Sequence, residues 1–127
     1  MILVDTSVWV GHLSRGDKLL SSLLEDGAVL AHPFVIGELA LGHLQQRQLV
    51  LDALSDLPHA NVATDRETLD FIERNTLFGR GIGYVDCHLL AATRLTQGAH
   101  LWTNDRRLHG VAAQLRLAFA PAEHRPA

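Results

Sequence analysis

The sequence predicts an α/β fold, a single domain in which a parallel β-sheet is flanked by α-helices. Short apolar runs at 2–4, 28–31 and 99–102 alternate with longer stretches whose apolar residues recur at helical spacing. Strands that alternate with helices pair in parallel, because each connection crosses back over one face of the sheet. A chain of 127 residues is long enough to bury one substantial core, and no repeat, linker or low-complexity stretch divides it.

In chain order, residues 2–4 read as a buried strand, and Thr6 or Ser7 is expected to cap the following helix, which carries Val8, Trp9 and Leu13. Leu19, Leu20, Leu23 and Leu24 keep a helical period until Asp26 and Gly27 stop it. Residues 28–31 make a second strand. Pro33 suits the first turn of the next helix, on which Ile36, Leu39, Ala40 and Leu44 share a face. A further short helix covers 49–57, closed by Pro58, and an edge strand is expected at 61–63. Thr64 and Glu67 have the spacing of a capping box, opening a helix that carries Leu69, Ile72 and Leu77 and ends at Gly79. Gly79, Gly81 and Gly83 interrupt the chain before the most apolar helix, 85–95. Residues 99–102 form the last clear strand, 105–115 the last helix and 117–119 a weak strand. The domain is expected to span 1–120, with a short frayed tail over 121–127.

Composition narrows the function classes. With 47% hydrophobic and 20% charged residues, the chain reads as an ordinary soluble globular protein. No apolar run approaches the roughly 20 residues needed to span a bilayer. No signal peptide is expected, since the first apolar run stops at Asp5 with no basic residue before it. The single cysteine, Cys87, has no internal disulfide partner and reads as a buried thiol in a reducing, cytoplasmic setting. A net charge of −3 excludes a general nucleic-acid coat protein. It leaves room for a nucleic-acid enzyme whose negative charge is concentrated in its active site.

Four acids stand where apolar runs end or helices begin: Asp5, Glu38, Asp86 and Asp105. Asp5, Glu38 and Asp86 adjoin Val, Leu or Gly rather than other charges, and Asp105 closes the run from Leu101 and Trp102 although Arg106 and Arg107 follow it, so each is expected half buried beside the core. Ligands of open parallel sheets bind beyond the carboxyl ends of the strands. Asp5 and Asp105 fall at those ends, and Glu38 and Asp86 lie in the first or second turns of helices that start from the same edge. The pattern permits all four to converge. Like charges about 4 Å apart repel by roughly 4 kcal/mol at an effective dielectric near 20, a conflict that a hard divalent cation removes. All-oxygen ligation favours Mg²⁺ or Mn²⁺, whose chemistry suits phosphodiester hydrolysis. On repulsion alone, removing Asp5 or Asp86 is expected to leave metal-free stability unchanged or higher.

The segments around these acids resemble PIN-domain proteins of the VapC toxin type: Met1-Ile2-Leu3-Val4-Asp5-Thr6-Ser7-Val8-Trp9, Gly37-Glu38-Leu39, the stretch from Gly81 through Tyr84-Val85-Asp86 to Ala91, and Leu101-Trp102-Thr103-Asn104-Asp105. The match covers essentially the whole chain in the family's order and spacing. The resemblance implies a Mg²⁺-dependent endoribonuclease that leaves a 5′-phosphate, a toxin paired with an antitoxin that blocks its active site, and a homodimer. It implies that Asp5, Glu38, Asp86 and Asp105 are catalytic, with Asp5, Asp86 and Asp105 as metal ligands and Glu38 positioning water or a second metal. Thr6, Ser7, Thr103 and Asn104 are implied to orient the carboxylates. The chain departs from the family's pattern at Gly11, where similar toxins often carry an acid.

Simpler roles stand beside these. Asp5 and Asp105 also suit helix caps, and Glu38 suits a solvated helix edge. Arg15, Lys18, Arg80, Arg106 and Arg107 are expected near the catalytic edge, each able to bind phosphate, with Arg80 singled out for the open backbone of Gly79 and Gly81. No histidine pair has zinc-helix spacing, and His88 should point away from Asp86. Trp9 and Trp102 read as core aromatics. A non-toxin RNA-processing nuclease and a catalytically silent interaction module remain open. An aspartyl phosphotransferase is disfavoured, because it needs a second Asp where this chain has Ser7.

Overall fold

The structure is a computed structural model in which residues 1–121 are described. The elements run β1 (Ile2–Val4), α1 (Thr6–Arg15), α2 (Lys18–Glu25), β2 (Val29–Leu30), α3 (Pro33–Ala40), α4 (Arg47–Ser55), α5 (Asp65–Arg74), α6 (Tyr84–Leu95), β3 (His100–Trp102) and α7 (Arg106–Gln114). The expected tail lies, beyond Pro121, outside the described residues.

The three strands form one parallel sheet in the order β2-β1-β3. Ile2 pairs with Val29 on one side, and Val4 pairs with Trp102 on the other. Single parallel bridges, Ala31 to His59 and Leu101 to Ala118, extend the sheet at both edges. The weak strand expected at 117–119 is therefore one bridge with two flanking hydrogen bonds, Leu101 N to Leu117 O and Phe119 N to Leu101 O. The edge strand expected at 61–63 does not form. Pairing occurs upstream at His59, and the Asn61 N–H instead meets Thr96 Oγ1 at the end of α6, at 2.8 Å.

Sheet residues Leu3, Val4 and Leu101 are sealed from solvent with Leu20, Leu89, Leu90 and Leu108 from the surrounding helices. α6 is buried continuously from Cys87 to Thr93. It packs against both α5 and β3, which explains its apolar composition all round. Trp9 and Trp102 lie in the core as expected, whereas Leu13 and Leu69 are exposed.

Several helix boundaries differ from the sequence pattern. α5 ends at Arg74 rather than Gly79, with Asn75 Nδ2 donating to Phe71 O at that end, so Leu77 lies beyond it; α4 is Arg47–Ser55 rather than 49–57. α3 ends at Ala40, so Leu44 is not on its face; the Arg47 guanidinium donates to the carbonyls of Ala40 and Gly42, closing that end. The cap of α1 is Asp5 rather than Thr6 or Ser7, its Oδ1 accepting from Thr6 N at 2.7 Å. The capping box at Thr64 and Glu67 forms as the spacing predicts.

Candidate active site

Parallel register builds the first half of the site. Val4 and Trp102 are partners, and Asp5 N donates to Trp102 O at 2.9 Å, so Asp5 and Thr103 leave the sheet side by side. The Asp5 carboxylate is buried, 7% exposed, and three donors meet it. Oδ1 accepts from Thr6 N, and Oδ2 from Ser7 Oγ at 3.0 Å and Thr103 Oγ1 at 2.7 Å. These bonds are the compensation a buried carboxylate requires. A carboxylate has about four acceptor positions, so one direction on Oδ1 remains open.

The two hydroxyls have no proton left for each other across their 3.4 Å contact. Each accepts a backbone N–H in turn: Asn104 N reaches Ser7 Oγ, and Asp105 N reaches Thr103 Oγ1, both at 3.0 Å. Thr6 extends the network the other way, donating its hydroxyl to Glu38 Oε1 at 2.8 Å. One chain of hydrogen bonds thus joins Glu38, Thr6, Asp5, Ser7, Thr103, Asn104 and Asp105. Asn104 differs from expectation here, since its backbone N–H enters the network while its side-chain amide makes no hydrogen bond among the described residues.

Asp86 joins through its field. It is half-buried in the first turn of α6, its Oδ2 accepting from Gly83 N at 3.0 Å. Burial pushes its carboxyl above the usual range, against the pull of the Gly83 N–H, and the charges of Asp5, Asp105 and Glu38 push it the same way. Acids from four separate segments therefore share one electrostatic neighbourhood. Three of them have ordinary capping work, since Asp5 and Asp105 cap α1 and α7 and Asp86 bonds back to the start of α6. An acid at a helix N-terminus is favourable. Glu38 is the exception: it sits in the last turn of α3, where the macrodipole disfavours an anion. Capping does not account for it. The half-burial expected of all four acids holds for Asp86 and is exceeded by Asp5, but Glu38 and Asp105 are exposed; Glu38 thus stands on a solvated helix edge, and its tie to the site is the Thr6 hydrogen bond.

The donor set is all oxygen and fits a hard divalent cation. One oxygen each of Glu38, Asp86 and Asp105 has no protein donor among the described residues. Among those residues no group of three or more His, Cys, Asp or Glu side chains stands ready to hold one ion.

Supporting contacts stabilise the first turns of α6. Asp65 Oδ1 accepts from Tyr84 Oη at 2.9 Å and His88 Nε2 at 3.1 Å, tying α5 to both sides of Asp86 in sequence. The Tyr84 and His88 hydrogen bonds hold the Asp65 carboxyl below its usual range. His88 is buried, turned away from Asp86, and stacks edge-on with Phe34 and Tyr84. Sequence reasoning assigned Asp65 only to a helix start; its reach to positions 19 and 23 residues later carries no local signal. His32 was likewise missed. It caps α3, with Nδ1 accepting from Phe34 N at 3.0 Å, while Nε2 is buried without a partner. Burial, aided by the charges of His88 and His59, lowers its pKa to about 4.

Among the basic residues, Arg80 is exposed on the glycine loop. Arg107 lies against that loop: a Cβ on Gly81 would come within 2.9 Å of Arg107 Nη1. Arg15 closes α1, about 15 Å along that helix from Asp5. Cys87 is a buried free thiol, its pKa raised by burial and then by Asp86.

A family model described as PIN domain matches residues 2–114. The chain is 48% identical over 120 residues to "Ribonuclease VapC32" of Mycobacterium tuberculosis, in strains CDC 1551 and H37Rv alike, covering 94% of this chain and 97% of the relative. The PIN-domain match over residues 2–114 and the 48% identity along 94% of the chain show that this protein belongs to the PIN-domain family as a homologue of the VapC ribonucleases.

Proposed function

We propose that this chain is the toxin of a type II toxin–antitoxin system, a Mg²⁺-dependent endoribonuclease that hydrolyses RNA phosphodiester bonds and leaves a 5′-phosphate. The observation that carries the proposal is Glu38: an acid without capping work, held by the hydroxyl of Thr6, the residue after Asp5, and felt electrostatically at Asp86.

Asp5, Asp86 and Asp105 hold the ion, directly or through water, and Mn²⁺ is an acceptable substitute. When bound, the cation neutralises charge on a phosphoryl oxygen and lowers the pKa of a coordinated water. The protein side follows from the hydrogen-bond network. Ser7 and Thr103 fix the Asp5 carboxylate, the backbone N–H groups of Asn104 and Asp105 fix those hydroxyls, and Thr6 aims Glu38 to position the attacking water. Such outer contacts tune metal sites strongly. A bare acid cluster repels RNA phosphate, so substrate and cation bind best together. Arg80 and Arg107 flank the site and supply phosphate contacts.

The partners proposed are RNA, a second copy of this chain and a cognate antitoxin. Val10 and Leu13 on α1, Leu41 after α3 and Leu49 on α4 expose apolar side chains on neighbouring elements, a surface suited to an amphipathic antitoxin segment. Trp9 and Leu39, on α1 and α3, are themselves buried. An antitoxin arginine reaching the acids would pair with them as the cation does. No helix among the described residues is long and apolar enough to cross a membrane, and an RNA substrate is consistent with a cytoplasmic location.

The test is cleavage of single-stranded RNA by the purified chain in Mg²⁺, with EDTA and Asp86→Asn as controls. Cleavage that requires Mg²⁺ and Asp86 supports the proposal. Equal cleavage in EDTA, or by the variant, contradicts it.

A further inference from the structure

Next to the acid cluster the surface holds a recess of about 400 Å³ whose walls include Trp102, Asn104, Asp105, Arg106 and His109. Asp105 lines the recess and is one of the four acids, so the two adjoin at that residue. The recess combines an apolar wall, Trp102, with three kinds of polar side chain. The Asn104 amide, the Arg106 guanidinium and the His109 imidazole all lack a hydrogen bond or ion pair among the described residues.

A second recess of similar volume lies between α5 and α6, and it is built differently. Three of its five polar side chains are committed, Asp70 and Arg74 being the exceptions among the described residues. Arg94 donates to Leu115 O and lies over the Phe71 ring, Asn75 donates to Phe71 O, and Glu67 completes the α5 capping box. Groups that hold the fold together are poor at recognising a ligand, whereas uncommitted ones beside a reactive centre are available to it.

We propose that the recess at the start of α7 binds one unpaired nucleotide of the RNA, adjacent to the scissile phosphate, and sets the sequence preference of cleavage. This rests on the nuclease reading above. The size is at the lower end of small-ligand sites. Unpaired RNA bases are read by stacking on flat side chains and by hydrogen bonds to their edges. Asn104 offers a donor and an acceptor side by side for a base edge, His109 a flat ring with one of each, and Arg106 a fork for phosphate. Asn104 and His109 thus discriminate between bases, and Arg106 contributes equally to all of them.

The test titrates each ribonucleoside 5′-monophosphate into the full chain in Mg²⁺, following backbone amide shifts by NMR, with cleavage of a randomised RNA pool alongside. Saturable shifts at Asn104, Arg106 and His109 are expected, with one or two bases preferred. Asn104→Ala and His109→Ala should each weaken the preferred nucleotide roughly tenfold and flatten the cleavage preference, while Arg106→Ala weakens all four alike. Shifts centred on the α5–α6 recess, or affinities and preferences unchanged in all three variants, overturn the proposal. If the parent still cleaves RNA in that case, the nuclease reading stands without the subsite. Base-selective binding at the recess in a chain that cleaves no RNA supports the nucleotide site and defeats the nuclease reading. An Asn104→Ala variant that loses only antitoxin affinity marks a protein-docking site and also overturns the proposal.

Discussion

Asp5→Ala and Asp86→Ala should have opposite effects on stability, although both remove one charge from the same cluster. Asp5 receives three hydrogen bonds, and its loss uncaps α1, at about 0.5–2 kcal/mol. It also strips the acceptor from two hydroxyls, of which Thr103 is buried. The Ser7 and Thr103 oxygens stand 3.4 Å apart, so one can donate to the other and only one is left orphaned, at about 1–3 kcal/mol. Relief of repulsion offsets part of this, leaving a net loss of about 2–4 kcal/mol. At roughly 3–5 °C per kcal/mol for a chain of this length, Tm falls by about 10 °C. Asp86 receives a single hydrogen bond from exposed Gly83, so relief of repulsion dominates and Tm in EDTA holds or rises. The assay is thermal melting of parent and both variants in EDTA at pH 7. Charge repulsion alone predicts that neither substitution destabilises the protein; the hydrogen bonds around Asp5 reverse that expectation for Asp5. An Asp5→Ala protein that melts at or above the parent would refute the reasoning.

Asp86 titrates above its usual 3.8 in the fold, so the folded chain holds its proton more tightly than the unfolded one and metal-free stability falls as pH rises through that interval. In EDTA, Asp86→Asn should match the parent below about pH 3.8 and gain on it as pH increases; a constant difference at all pH values would refute this. His32 has the opposite sign, since a pKa lowered from 6.5 to about 4 gives stability that is present above pH 6.5 and lost as pH falls toward 4. His32→Asn keeps an acceptor for Phe34 N and should flatten the melting profile across that window. Mg²⁺ at about 100 times its Kd should stabilise the chain by about 2.7 kcal/mol, and a chain whose Tm responds to Zn²⁺ but not to Mg²⁺ or Mn²⁺ would contradict an all-oxygen site. Gly79 and Gly81 both have positive φ, but only a Cβ on Gly81 meets Arg107. Both Gly→Ala variants should lose about 1–2 kcal/mol, and only Gly81→Ala should also weaken RNA binding and flatten its salt dependence. Equal RNA binding by the two would remove Arg107 from the phosphate contacts.

The alternation of strands and helices was readable because burial imposes the period: Leu3 and Leu101 in the sheet, and the unbroken run from Cys87 to Thr93 in α6, are apolar for reasons each short segment carries by itself. The four acids were likewise visible from where apolar runs end and helices begin, but the burial inferred from their flanks fails for Glu38 and Asp105, which are exposed. What stayed hidden depends on distant partners. The edge strand at 61–63 looked plausible until Thr96 claimed the Asn61 N–H, and α3 looked longer until Arg47 closed it at Ala40. Thr6 and Ser7 resemble caps in sequence; in the structure their hydroxyls serve Glu38 and Asp5, and Asp5 becomes the cap. The Asp65 contacts to Tyr84 and His88 and the orphaned Nε2 of His32 arise only when α3, α5 and α6 meet.

Glu38 is the acid that helix capping leaves unexplained, so Glu38→Gln tests the central claim most directly. The measurement is the Mg²⁺-dependent cleavage rate of a single-stranded RNA by parent and variant, each confirmed folded by its melting curve. Gln keeps an acceptor for the Thr6 hydroxyl and removes only the charge. A rate reduced by roughly 10–100-fold or more at unchanged Tm is the predicted result, and a variant that cleaves as fast as the parent would contradict a four-acid active site.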